Sequence, residues 1–201
     1  MRPVRETFNI NSLVMMGIPR RFTTMTLDDF KVDGSDDLRK VKNFVGDFIS
    51  DINYNVKMNQ GIFFFGSNGV GKSMLASLIL KEAYRRRFSG RRVTFSVLIS
   101  EYTKVWNKEE SLYDTYKGIE VLVLEEVGKE IDSKIASPIL EDLLRYREEK
   151  GLMTIICSNC SPKVIEEHYG VSIMSLIKGN MTPIKIVSKD MRQEVYNDKS
   201  E

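Results

Sequence analysis

Residues 61–73 read Gly-Ile-Phe-Phe-Phe-Gly-Ser-Asn-Gly-Val-Gly-Lys-Ser, and this stretch decides the fold. Its first five residues form a short continuous apolar run, the pattern of a strand buried on both faces. The next eight satisfy G-x-x-x-x-G-K-[ST], and helical periodicity over Met74–Arg87 follows. Strand, glycine-rich loop and helix in that order make a phosphate loop. Gly66, Ser67, Asn68, Gly69, Val70 and Gly71 turn the backbone so that successive N–H groups face an anion. Lys72 then reaches the β and γ phosphates of ATP, and the Ser73 hydroxyl ligates Mg²⁺. The helix directs the positive end of its dipole at the same anion.

Working outward, apolar strands alternate with amphipathic helices. Leu38, Val41, Val45, Phe48 and Ile52 recur at helical spacing after Ser35, a plausible cap. Arg92–Leu98 reads as a strand and Ser100–Trp106 as a helix. Val121–Leu124 is a second buried strand, Ile135–Glu149 a long helix, Met153–Cys157 a further strand, and Ser161–Tyr169 a helix with Pro162 at its first position. This alternation predicts an α/β fold, a parallel sheet with helices on both faces. Residues 1–20 form a short amino-terminal arm, with a helix over Asn9–Met16 broken by Gly17-Ile18-Pro19, and 21–201 the ATP-binding domain.

A phosphate loop needs an acidic element on a neighbouring strand, and Glu125 and Glu126 follow Val121–Leu124. The first carboxylate of such a pair holds Mg²⁺ and the second polarises the attacking water. Aspartate is usual at the first position, and the extra methylene of Glu125 moves its carboxylate outward. The strand Thr154–Cys157 ends in Ser158 and Asn159, and an amide there holds the attacking water or touches the γ-phosphate. Cys157 and Cys160 lack the four-ligand set that zinc requires, and Cys157 closes a strand rather than opening a redox helix, so both read as structural.

With 201 residues, 42% hydrophobic and 29% charged, the chain has globular composition and length enough for a core without disulfide staples. Thirty Lys and Arg oppose 28 Asp and Glu, so any basic surface must be local. No signal peptide or membrane span is evident, and the expected compartment is the cytoplasm of a bacterial host cell. One local cluster is Arg85, Arg86, Arg87, Arg91 and Arg92, interleaved with Tyr84 and Phe88. A second holds Tyr102, Lys104, Trp106 and Lys108. Each reads either as a solvated helix end or as a surface for single-stranded DNA.

Five segments occur in order: Gly17-Ile-Pro-Arg-Arg-Phe22, Thr26-Leu-Asp-Asp-Phe30, the phosphate loop, Val121–Gly128, and Arg145-Tyr-Arg147 with Thr154–Asn159. Together they resemble the DnaC/DnaI-type helicase loaders and the similar IstB-type transposition helpers, AAA+ P-loop ATPases, over roughly residues 17–192. The resemblance implies that Phe22–Phe30 borders the adenine, that Glu125 and Glu126 are the acidic pair, and that Asn159 is the γ-phosphate sensor. It implies Arg192, after Ser188-Lys-Asp-Met, as a second sensor. It also implies ATP hydrolysis, expected here to be weak for want of the arginine noted next, a hexameric replicative helicase as partner, and contact with single-stranded DNA. Two departures stand out. No arginine occurs between Arg147 and Arg192, where these ATPases place a finger for the neighbouring subunit, and Lys178 cannot reproduce a guanidinium fork. The amino-terminal arm is also shorter than the family's helicase-binding domain, which fits a phage or other mobile element. The expected function is delivery of a replicative helicase onto DNA, with a transposition helper or a scarcely hydrolysing nucleotide-gated adaptor as alternatives.

Overall fold

The computed structural model describes residues 9–107, 110–129 and 133–188. Five strands form one sheet: β1 (Gly61–Phe65), β2 (Gly90–Thr94), β3 (Val121–Val127), β4 (Met153–Ser158) and β5 (Met181–Lys185). Their order is β2-β3-β4-β1-β5, and every pairing is parallel. β1, carrying the phosphate loop, therefore sits inside the sheet between β4 and β5. Parallel neighbours need crossovers, and helices supply them.

Strand alternation sorts the apolar side chains into two cores. Ile62, Phe64, Val121, Val123, Ile155 and Cys157 face one side. There they meet α1 (Ile10–Met15), α2 (Arg20–Thr23), α3 (Asp36–Ser50), α4 (Ile52–Lys57) and α5 (Lys72–Arg85). Phe63, Leu122, Leu124 and Ile156 face the other side. They meet α6 (Phe95–Trp106), α7 (Tyr113–Gly118), α8 (Ser133–Glu149), α9 (Pro162–Tyr169) and α10 (Val171–Asn180).

Residues 9–20 of the amino-terminal arm are built into the first of these cores. Leu13, Met16 and Ile18 are buried there, and Asn9 caps α1 by accepting from the Asn11 N–H. One expectation needs correction. The strand expected over Arg92–Leu98 holds only to Thr94, where β2 ends; the Thr94 hydroxyl accepts from the Val97 N–H and starts α6 at Phe95. A side-chain cap at that point overrides the β propensity of Phe95 and Val97. α7, α10 and β5 come in addition to the elements expected from the sequence. Among the described residues, no helix is long and apolar enough to cross a membrane.

Among the described residues, Arg147 is the largest fully buried side chain, at 1% exposure. Its guanidinium donates to Thr154 Oγ1 and to the carbonyls of Tyr116, Lys117, Ile119 and Met153, tying the end of α7 and its following loop to β4. Burial pushes its pKa down to about 9, which still leaves it charged at neutral pH. A side chain so enclosed cannot reach a neighbouring subunit.

Candidate functional site

The phosphate loop spans from the end of β1 to the start of α5, with Gly71 at the helix N-cap in a left-handed conformation (φ 99°). A side chain there would be strained, which is why the pattern needs glycine at this position. Three acceptors surround the Lys72 ammonium: the carbonyls of Gly66 (2.7 Å) and Ser67 (2.6 Å) and Oδ1 of Asn159 (2.9 Å). The lysine is buried at 8% exposure, so its charge is aimed into the loop rather than at solvent. Asn159 also donates through Nδ2 to Asn68 Oδ1 at 2.9 Å. The end of β4 is thereby latched to both ends of the loop.

Adjacent strands place the acidic pair differently. Glu125 is buried at 3% exposure, on the α5 side of the sheet. Its Oε2 accepts from the Ser73 hydroxyl at 2.8 Å, and its Oε1 from Arg92 Nε at 3.0 Å. The glutamate side chain thus reaches both Ser73 and Arg92. Glu126 is the extra residue of a β-bulge: Glu125 and Val127 oppose the consecutive residues Cys157 and Ser158, leaving Glu126 unpaired in the ladder. Its backbone is left-handed (φ 64°), its side chain is exposed, and it pairs with Lys129 at 2.8 Å. The bulge turns Glu126 out of the packed layer and returns Val127 to the second core.

Cys157 opposes Glu125 in the ladder and is buried; burial first, and then the Glu125 carboxylate, raise its thiol pKa well above the ordinary value. A protonated, enclosed thiol is inert. Cys160 is free and half-buried, and among the described residues no cluster of three metal-ligating groups occurs. The Ser73 hydroxyl and the Glu125 carboxylate form an oxygen pair of the kind that suits Mg²⁺. That donor chemistry fits a metal held beside the phosphates.

The remaining predicted residues fall elsewhere. α5 begins at the phosphate loop and runs back along the sheet for 14 residues, roughly 20 Å, so Arg85, Arg86 and Arg87 lie at the end remote from Lys72. Arg85 and Arg86 share Glu82, and the Arg91 guanidinium donates to the Met15 carbonyl. Lys104 pairs with Glu101 near the end of α6, where Trp106 is the last helical residue. Arg192 lies outside the described residues. In sequence Arg92 stands in the basic cluster and at the start of an expected strand; its partnership with Glu125 depends on β2 lying beside β3, which no local pattern announces.

No protein-family model matches the chain. It is 27% identical to the replicative helicase loader DnaI of Bacillus subtilis (strain 168) over 146 residues, covering 71% of this chain. The match spans 47% of DnaI, about half its length. It is 28% identical over 198 residues to the insertion-sequence IS232 ATP-binding protein of Bacillus thuringiensis subsp. berliner, covering 94% of this chain and 76% of that protein. Among solved structures, the DnaC helicase loader superposes with a TM-score of 0.74 at 22% identity, covering 84% of this chain and 100% of that one. The fold is thus the AAA+ type of P-loop domain, and the sequence is similar to the helicase loaders and to the insertion-sequence protein.

Proposed function

We propose that this chain is an ATP-dependent, helicase-loader-like protein of DNA replication that couples nucleotide binding to delivery of a hexameric replicative helicase onto single-stranded DNA. The observation that carries the reading is the joined set Lys72, Ser73, Glu125 and Asn159, brought from three strand ends to one loop on a domain similar to the helicase loaders.

The roles follow from position. Lys72 offers its ammonium to the β and γ phosphates, exchanging the Asn159 amide and loop carbonyls for phosphate oxygens. Ser73 and Glu125 would hold Mg²⁺, which when bound neutralises charge on the transferred phosphoryl group. Glu126, outside the packed layer, is free of the Arg92 and Ser73 contacts that occupy Glu125, and is the base for the attacking water. Asn159 leaves Asn68 and Lys72 to meet the γ-phosphate, so the latch between β4 and the loop reports which nucleotide is present. Arg145 is paired with Glu141 and Ser172, and Arg147 is enclosed, which leaves hydrolysis slow and favours nucleotide-gated binding over rapid turnover.

One observation favours a second reading. The IS232 protein matches 94% of the chain, against 71% for DnaI, so a transposition helper ATPase is the alternative. Affinity capture from the cell that makes the protein, with and without ATP, separates the two. Recovery of a hexameric replicative helicase in the ATP arm supports the loader, and recovery of a transposase instead overturns it.

A further inference from the structure

The amino-terminal arm and the acidic strand meet at one guanidinium. Arg92 Nε donates to Glu125 Oε1 at 3.0 Å, with the two side chains 17% and 4% exposed. Its Nη1 donates to the Gly17 carbonyl at 3.2 Å, and its backbone N–H donates to the Met16 carbonyl at 2.8 Å. The neighbouring Arg91 side chain holds the Met15 carbonyl. Gly17 (φ 88°) lies so close that a Cβ there would stand 2.2 Å from the Arg92 carbonyl oxygen. Met15–Gly17 is therefore laid along β2 with no room for a larger residue. The other oxygen of Glu125 holds Ser73, the first-turn hydroxyl of α5.

A guanidinium is a planar fork with fixed donor angles, so holding Gly17 and Glu125 together ties the place of one to the place of the other. A carboxylate offers about four lone pairs. Arg92 and Ser73 take one on each oxygen, which sets the direction of those that remain.

We propose that Arg92 is a positioning residue for the metal–nucleotide site: anchored by Met16 and Gly17, it holds Glu125 against Ser73 so that the carboxylate meets Mg²⁺. The proposal rests on the nucleotide-binding reading above and adds to it a dependence on the arm. Because coupling of two binding events is reciprocal, Mg²⁺–ATP must in turn tighten the Met15–Gly17 contact.

The test is titration calorimetry of ATP into the full chain, once with Mg²⁺ and once with a chelator, for the parent, Arg92→Gln and Gly17→Ala. Arg92→Gln should lower the affinity measured with Mg²⁺ about tenfold and leave the chelator value within twofold. Gly17→Ala, which keeps both side chains but displaces the arm, should lower the Mg²⁺ value in the same direction. In the parent, Mg²⁺ with ATP should slow hydrogen exchange of the Arg92 amide, and ATP with chelator should not. An Mg²⁺-dependent gain in Arg92→Gln equal to or above the parent's overturns the proposal, as does an Arg92 amide indifferent to the metal. If Arg92→Gln does not fold, Gly17→Ala and the exchange measurement decide. Should the parent bind no ATP at all, the nucleotide reading fails separately. Thermal unfolding of Arg92→Gln, Glu125→Gln and the double variant then decides whether the two side chains are coupled: strict additivity overturns the proposal and non-additivity supports it.

Discussion

The Lys72 ammonium lies 2.9 Å from Oδ1 of Asn159, a residue 87 positions further along the chain. The same amide reaches Asn68 through Nδ2, so one side chain at the end of β4 spans the phosphate loop. An ammonium satisfied by two loop carbonyls and an amide exchanges neutral acceptors for charged phosphate oxygens when nucleotide enters. Phosphate oxygens would face the ammonium with a full opposite charge, which the carbonyls and the amide do not.

Lys72→Ala should therefore abolish measurable nucleotide binding while the domain stays folded. The lysine donates to Gly66, Ser67 and Asn159, none of them buried, so water can take its place there and the fold should survive the change. Calorimetry with Mg²⁺–ATP reads the binding and circular dichroism the fold. ATP affinity within a factor of two of the parent would show that the site is misassigned.

Glu126→Gln should keep ATP binding and stop turnover, since the amide preserves shape and removes the base. The Lys129 partner is an exposed i,i+3 pair, with side chains 44% and 50% exposed, so stability should change by less than about 1 kcal/mol. Phosphate release under single-turnover conditions is the readout. Near-parental release would move the base assignment away from Glu126.

Arg147→Met should destabilise the fold by about 2–5 kcal/mol, because it leaves the Thr154 hydroxyl and four carbonyls without their donor. For a domain of this size that is a fall in Tm of roughly 5–15 °C. Scanning calorimetry checks it. A shift of only one or two degrees would mean that water replaces the guanidinium at no cost.

ATP turnover per subunit should be slow and independent of protein concentration. No arginine lies between Arg147 and Arg192, Arg147 is enclosed, and Arg145 is engaged by Glu141 and Ser172. An arginine finger contributes ~10³–10⁵ in rate where one is present. Turnover across a wide concentration range, with sedimentation alongside, gives the answer. A steep rise that tracks self-assembly would contradict this and point to Arg145 or Arg192 as a finger.

Much of this architecture was legible because its signals are local. β1 and the loop after it are contiguous, α3 follows its Ser35 cap, and α9 opens on Pro162. Glu125, Glu126 and Asn159 were legible as strand-end polar groups. The different placement of the two glutamates, Glu125 buried and Glu126 exposed, was not, because it depends on a bulge that only ladder register with β4 reveals. The boundary between β2 and α6 was misplaced because Phe95 and Val97 suit a strand, while the deciding group is the Thr94 hydroxyl. The docking of the arm was likewise hidden. Gly17 looks like a helix breaker in sequence, and its close approach to the Arg92 carbonyl exists only once β2 is in place.

The most direct test of the loader reading is reconstitution of helicase delivery. A purified hexameric replicative helicase from the source cell is mixed with single-stranded circular DNA and Mg²⁺–ATP, with the parent chain, with Lys72→Ala, or alone. Helicase retained on the circles after a salt wash is measured. The account predicts retention several-fold above the helicase alone with the parent chain, and the background value with Lys72→Ala. Retention equal in all three mixtures would contradict it.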